Sequence, residues 1–169
     1  TGYENTKFAD NSFDVAIGNV PFGDYSLHDK RYDKDHLLIH DYFFVKTLDK
    51  VRPGGIVAFV TSKGTLDKAN PAARRLMAGA IRLPNTAFKA NAGASVTTDI
   101  LFLQKRDTPP EQLPAWTETG KNADGMELNN YFLQHPEMIL GTMQEVTTQH
   151  GKDTACVPDP NVELEDLLS

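Results

Sequence analysis

The stretch Phe13-Asp14-Val15-Ala16-Ile17-Gly18-Asn19-Val20-Pro21-Phe22-Gly23 decides how the rest of the chain is read. Its first six residues form a short, mainly apolar run suited to a strand buried on both faces. The next four offer a carboxamide, a backbone carbonyl, a ring that fixes φ and an aromatic face within one turn. Gly23 lets the backbone leave that turn with no Cβ in the way. Ligands of open α/β sheets bind beyond the carboxyl ends of strands, so these groups stand where recognition takes place. The plainer alternative is a strand-ending Asn-x-Pro turn, common wherever those residues punctuate loops.

Working outward, the pattern alternates. A polar loop rich in His and Asp runs from Asp24 to Asp35, and Leu37, Phe44, Leu48 and Val51 then recur at helical spacing over about His36 to Val51. Pro53-Gly54-Gly55 is expected to stop that helix. Ile56 to Thr61 is β-branched and aromatic, a second buried strand. Asn70-Pro71 has the cap-then-proline signature of a helix start, which AARRLMAGA continues. Ile81-Arg82-Leu83 and Asp99 to Gln104 are the last two strands expected. Beyond Lys105 the character shifts. Pro109, Pro110 and Pro114 mark a linker, NNYFLQHPEMILG supplies apolar anchors for a short helix or turn, and the acidic tail from Thr147 suggests partial disorder. The expected organisation is residues 1–107 as one α/β unit, 108–125 as linker and 126–169 as a partly disordered extension.

Composition sets bounds on function. With 169 residues and 40% hydrophobic content the chain can bury one real core. No apolar run approaches the roughly 18 residues that span a bilayer, so a soluble, cytoplasmic protein is expected. Cys156 is the single cysteine, which excludes a disulfide framework and a Cys-based metal cluster. His36 and His40 are four apart but lack HExxH and a third ligand, so no metal site is expected. A net charge of −6 argues against this chain by itself gripping duplex nucleic acid.

The motif and its strand resemble the [Asp/Asn]-Pro-Pro-[Tyr/Phe] signature of the class I, S-adenosylmethionine-dependent amino-methyltransferases. Among these they are most similar to the adenine-N6 DNA methyltransferases, including methylases of mobile elements and phage that are joined to helicase-like regions. Val20 stands where the first proline is usual. The resemblance implies an α/β fold: the second half of a Rossmann-like class I sheet, with a terminal antiparallel strand pair and helices on both faces.

It also implies roles. Asn19 and the Val20 carbonyl would hold the two N–H bonds of an adenine N6 amine, Pro21 would stiffen the turn and Phe22 would stack on the extruded base. Asn19 would also touch the cofactor S-adenosylmethionine, and Glu4 would meet that cofactor's adenine end unless it is a plain surface residue. Lys63, Asn91 and Ser95 fall on the rim expected to face the substrate, although a solvated loop explains them equally. No glycine-rich strand-to-helix loop for the cofactor is present. A longer polypeptide is therefore expected to supply that loop, together with target-recognition or helicase-like regions that engage DNA in a restriction-modification setting. The isolated chain is expected to be inactive. RNA bases or a protein glutamine remain alternative acceptors, and a noncatalytic nucleic-acid or partner-binding module remains an alternative class.

Overall fold

The computed structural model describes residues 2–21, 23, 25–67, 77–89, 95–108, 111–148 and 151–169, with Met77 described by its backbone only. The main sheet holds β1 (Phe13–Asn19), β2 (Val51–Ser62), β3 (Met77–Leu83) and β4 (Thr98–Gln104) in the order β1-β2-β4-β3. β1 and β2 run parallel, connected through helix α1 (Ile39–Lys50), and β4 is antiparallel to both β2 and β3. This is the mixed α/β sheet with a terminal antiparallel pair that the resemblance implies.

Packing concentrates on one face. Val57, Phe59, Leu101, Leu103 and Ala80 alternate along three strands and join Val20, Phe44 and Val51 in the core. β1 departs from the expectation of a strand buried on both faces: Val15 is 52% and Ile17 80% exposed. The reason is topological, since β1 is the sheet's edge and no described element lies beyond it.

α1 ends at Lys50, before the Pro-Gly-Gly triplet, and β2 begins at the next residue. The triplet instead makes an irregularity inside β2, where two steps on β1 (Phe13 to Val15) span five on β2 (Val51 to Ile56). Gly54 sits at φ +77, and a Cβ on Gly55 would lie 2.7 Å from the Asp14 carbonyl oxygen, so both glycines are needed. The helix expected from Asn70 lies outside the described residues as far as position 76. Its last part, Met77 to Ala80, is strand β3. Helix propensity there yields to pairing, because Ala80 lies opposite Leu101 and is buried.

The later residues build onto this sheet. Short helix α2 (Gly64–Asp67), strands β5 (Thr119–Lys121) and β6 (Glu127–Asn129), and helix α3 (Asn130–Gln134) follow in order. The hairpin β7 (Thr142–Thr148) and β8 (Gly151–Val157) and the turn α4 (Leu164–Leu167) complete the chain. Described residues within the stretches expected as linker and partly disordered extension thus form strands and helices, and Tyr131 and Phe132 enter the same core as Phe44 and Leu101. Asn129 anchors this region. It is fully buried, donates to the Leu66 and Trp116 carbonyls at 3.0 and 2.9 Å, and caps α3 by accepting the Tyr131 N–H.

Arg82 is the other anchor. Its Nε and Nη2 donate to the two carboxylate oxygens of Asp99, each at 2.8 Å, its Nη1 lies 2.9 Å from Asp67, and its guanidinium rests 4.5 Å above the Phe132 ring. Burial opposes the Arg82 charge, but the two carboxylates outweigh it and hold the residue protonated. Among the described residues no helix is long and apolar enough to cross a membrane.

Candidate active site

Strand ends converge on one rim. Ser62 at the end of β2 and Leu83 at the end of β3 both pair with Thr98 at the start of β4, and Asn19 ends β1 beside Val60. Asn19 and Pro21 of the motif, with Lys63 and Ser95, therefore share the carboxyl edge of the sheet. Phe22 and Asn91 lie outside the described residues.

Asn19 and Val20 point in opposite senses, as neighbours on a strand must. The Asn19 side chain is exposed and has no hydrogen-bond partner among the described residues. Val20 is 2% exposed, packs in the core with Phe44 and Phe59, and donates its N–H to the Val60 carbonyl at 2.9 Å. This accounts for an apolar residue at that position: its side chain is a core side chain, and only its backbone can serve the rim.

A groove of about 420 Å³ runs along the open side of β1, bordered by Asn19 at one end, by Tyr3 and Phe43, and by Val15 and Ile17. Glu4 stands in the single turn Tyr3–Asn5, and its carboxylate accepts from the Asn5 side chain at 2.7 Å. That turn is docked on α1, through Tyr3 Oη and Thr47 Oγ1 at 2.8 Å and through the Tyr3 ring against Phe43 at 4.7 Å between centroids. Burial raises the Tyr3 pKa.

The loop after the motif docks on the same helix. Asp29 accepts from Lys46 Nζ at 2.9 Å and from Tyr42 Oη at 2.8 Å, and Tyr32 donates to Asp49 at 2.7 Å. Burial raises the Asp29 pKa, but the Lys46 and Tyr42 bonds outweigh it and the carboxyl is held below its usual range. Arg31 reaches Asp10 and Asp49, so its charge is met by local carboxylates.

Lys63 is committed elsewhere. It donates to Asp153 Oδ1, to the Thr154 carbonyl and to Thr154 Oγ1 of β8. The hairpin is pinned to the rim at two more points, by Asn85 N–H to the Cys156 carbonyl at 2.7 Å and by Cys156 N–H to Thr97 Oγ1 at 2.9 Å. Between hairpin and rim lies a cavity of about 320 Å³ that Ser62, Lys63, Ser95 and Thr154 help to line. Burial pushes the Cys156 thiol up to about 11, which suits a packing residue and not a nucleophile. Sequence reasoning missed this hairpin. The β-branched content of TMQEVTT and the Gly after Gln-His were the signal available.

The described residues fit one edge of a methyl-donor site and not the whole of it. Among the described residues the Asn19 carboxamide has no partner, but the groove it borders is otherwise largely apolar, and Lys50, the one cation of its described lining, is bound to Asp10 at 2.6 Å.

The fold and rim define a mixed α/β domain with a polar strand-end site. No protein-family model matches the chain. It is 34% identical over 104 residues to "Defense against restriction protein B" of Escherichia phage P1, a match that covers 56% of this chain and 4% of that protein. The chain therefore spans a small fraction of the curated relative it matches. A crystal structure from Listeria monocytogenes, described as a class I S-adenosylmethionine-dependent methyltransferase, superposes with a TM-score of 0.49. It is 23% identical, over 65% of this chain and 38% of that one.

Proposed function

We propose that this chain is the acceptor-holding half of an S-adenosylmethionine-dependent methyltransferase that modifies the N6 amine of adenine in DNA. The observation that supports it most is the division of labour at Asn19-Val20. One residue turns to the rim a carboxamide with no partner among the described residues while the next is locked in the core, which presents an acceptor at the strand end. An exocyclic amine is a poor nucleophile while its lone pair is delocalised into the ring. Asn19 Oδ1 and the Val20 carbonyl would accept its N–H bonds and turn the nitrogen toward the transfer edge, so positioning and electrostatics supply the rate. S-adenosylmethionine, when bound, supplies a methyl group on a sulfonium centre. Asn19, and Glu4 from the docked turn, are the residues here that would touch it.

The remainder of the donor site would come from elsewhere in a longer polypeptide, seated against the open side of β1. The phage relative favours this arrangement, because the match occupies so little of its length. Its printed name also suits a role in shielding DNA from restriction, which adenine methylation would serve. A second reading, a noncatalytic partner-binding module, is favoured by the net charge of −6 and by the pairing of Arg31 with Asp10 and Asp49.

The test is transfer of a labelled methyl group by the full-length protein to DNA, RNA and protein acceptors. Adenine in DNA is the expected product. Asn19→Ala is expected to lower the rate by about 10² to 10³ with an unchanged melting temperature, since the side chain is exposed and has no partner among the described residues. Equal labelling by Asn19→Ala would overturn the assignment.

A further inference from the structure

Lys46 is 3% exposed, in the middle of α1, and its ammonium has no water-facing role. A buried lysine is stable only if its donors are all engaged. Here they reach two separate parts of the chain. Nζ donates to the Tyr3 carbonyl at 2.8 Å and the Glu4 carbonyl at 3.2 Å on one side. On the other it donates to Asp29 Oδ2 at 2.9 Å, and it lies 3.1 Å from Tyr42 Oη, which itself donates to the same Asp29 oxygen. The ammonium also stands 5.0 Å from the centre of the Tyr3 ring.

We propose that Lys46 is a positioning residue that couples the two sides of the active site: it fixes the turn bearing Glu4 and the loop following the Asn19 motif to one point on α1. This rests on the functional reading above for what the two sides bind, but the coupling itself stands on the geometry. The turn and the loop both dock on side chains of α1, the turn through Thr47 and Phe43 and the loop through Tyr42 and Asp49. One charge that both segments need makes their order mutual. Loosening either one leaves the ammonium undersatisfied and frees the other. Asp29 supplies the compensating charge, and Tyr42 orients it, while Glu4 and Asp49 are the other carboxylates near the cluster.

The experiment compares wild type, Lys46→Met and Lys46→Arg in the full-length protein by hydrogen exchange and by calorimetry with S-adenosylhomocysteine. Lys46→Met is expected to raise exchange together in residues 3–6 and 25–33 while β4 stays protected. It is also expected to weaken nucleoside binding by about tenfold or more, and Lys46→Arg is expected to recover part of both. Unchanged exchange in either segment, or a rise in only one, would overturn the coupling, as would a uniform rise across β4 that marks mere loss of fold. If wild type transfers no methyl group and binds no nucleoside, the functional reading fails. The exchange pattern then still decides whether Lys46 couples the two segments.

Discussion

The two edges of the sheet are treated in opposite ways. At the β3 edge the chain covers itself: Ile139 bridges to Arg82, the Leu140 N–H bonds to the Arg82 carbonyl at 2.9 Å, and Arg82, Asp99 and Asn129 are fully buried beneath. At the β1 edge Val15, Ile17, Phe8 and Phe13 are left 40–80% exposed beside an apolar groove. An uncovered apolar strand edge is a liability that proteins rarely leave standing. The difference sets a covered edge against an open one, and the candidate site lies beside the open edge.

The largest way to break this contrast is at the sealed side. Arg82→Met strands Asp99 and Asp67 without their cation, and is expected to cost about 3–5 kcal/mol by urea unfolding; stability within error of wild type would mean that charge does not hold this edge. Asn129→Ala removes two donated bonds and a helix cap, with an expected loss of about 2 kcal/mol by the same measurement.

Acid probes the β1 side, through the clamp on the post-motif loop. The Asp29 pKa is lowered from 3.8, so its contribution is present at neutral pH, begins to fade as pH falls to about that value, and is lost on passing through the lower folded value. Asp29→Asn is expected to flatten the pH dependence of the melting temperature below about pH 4; an unaltered slope would show that other carboxylates dominate there.

The smallest expected effect sharpens the comparison most. Ile17→Thr is expected to change the stability of this chain by less than about 0.5 kcal/mol, as for an exposed site, yet to destabilise the full-length protein by about 1–2 kcal/mol if another element buries it there. Equal effects in both would show that the β1 edge stays open.

Much of the sheet was legible because its strands are β-branched and helix α1 has apolar residues at helical spacing. The antiparallel end was implied by the resemblance to a class I methyltransferase sheet. What misled were places where local preference opposed pairing. MAGA has the composition of a helix and forms the start of β3 because Ala80 fills a place opposite Leu101. Pro53-Gly54-Gly55 looks like a helix stop and is a bulge, because the chain had already turned at Val51. At the site, Asn19 and Val20 were readable from their position after a strand. The engagement of Lys63 by Asp153 was not, since the partners are 90 residues apart.

The sequence by itself determined the strand-turn motif, its place at a carboxyl strand end and the kind of polar group offered there, because these depend on neighbouring residues and on periodicity. Tertiary structure alone decided that Val20 belongs to the core, that β1 is an exposed edge, that a hairpin from residues 142–157 closes over Lys63, and that Lys46 ties Tyr3, Glu4 and Asp29 together. Each of these turns on which distant segments meet, and no local preference encodes that.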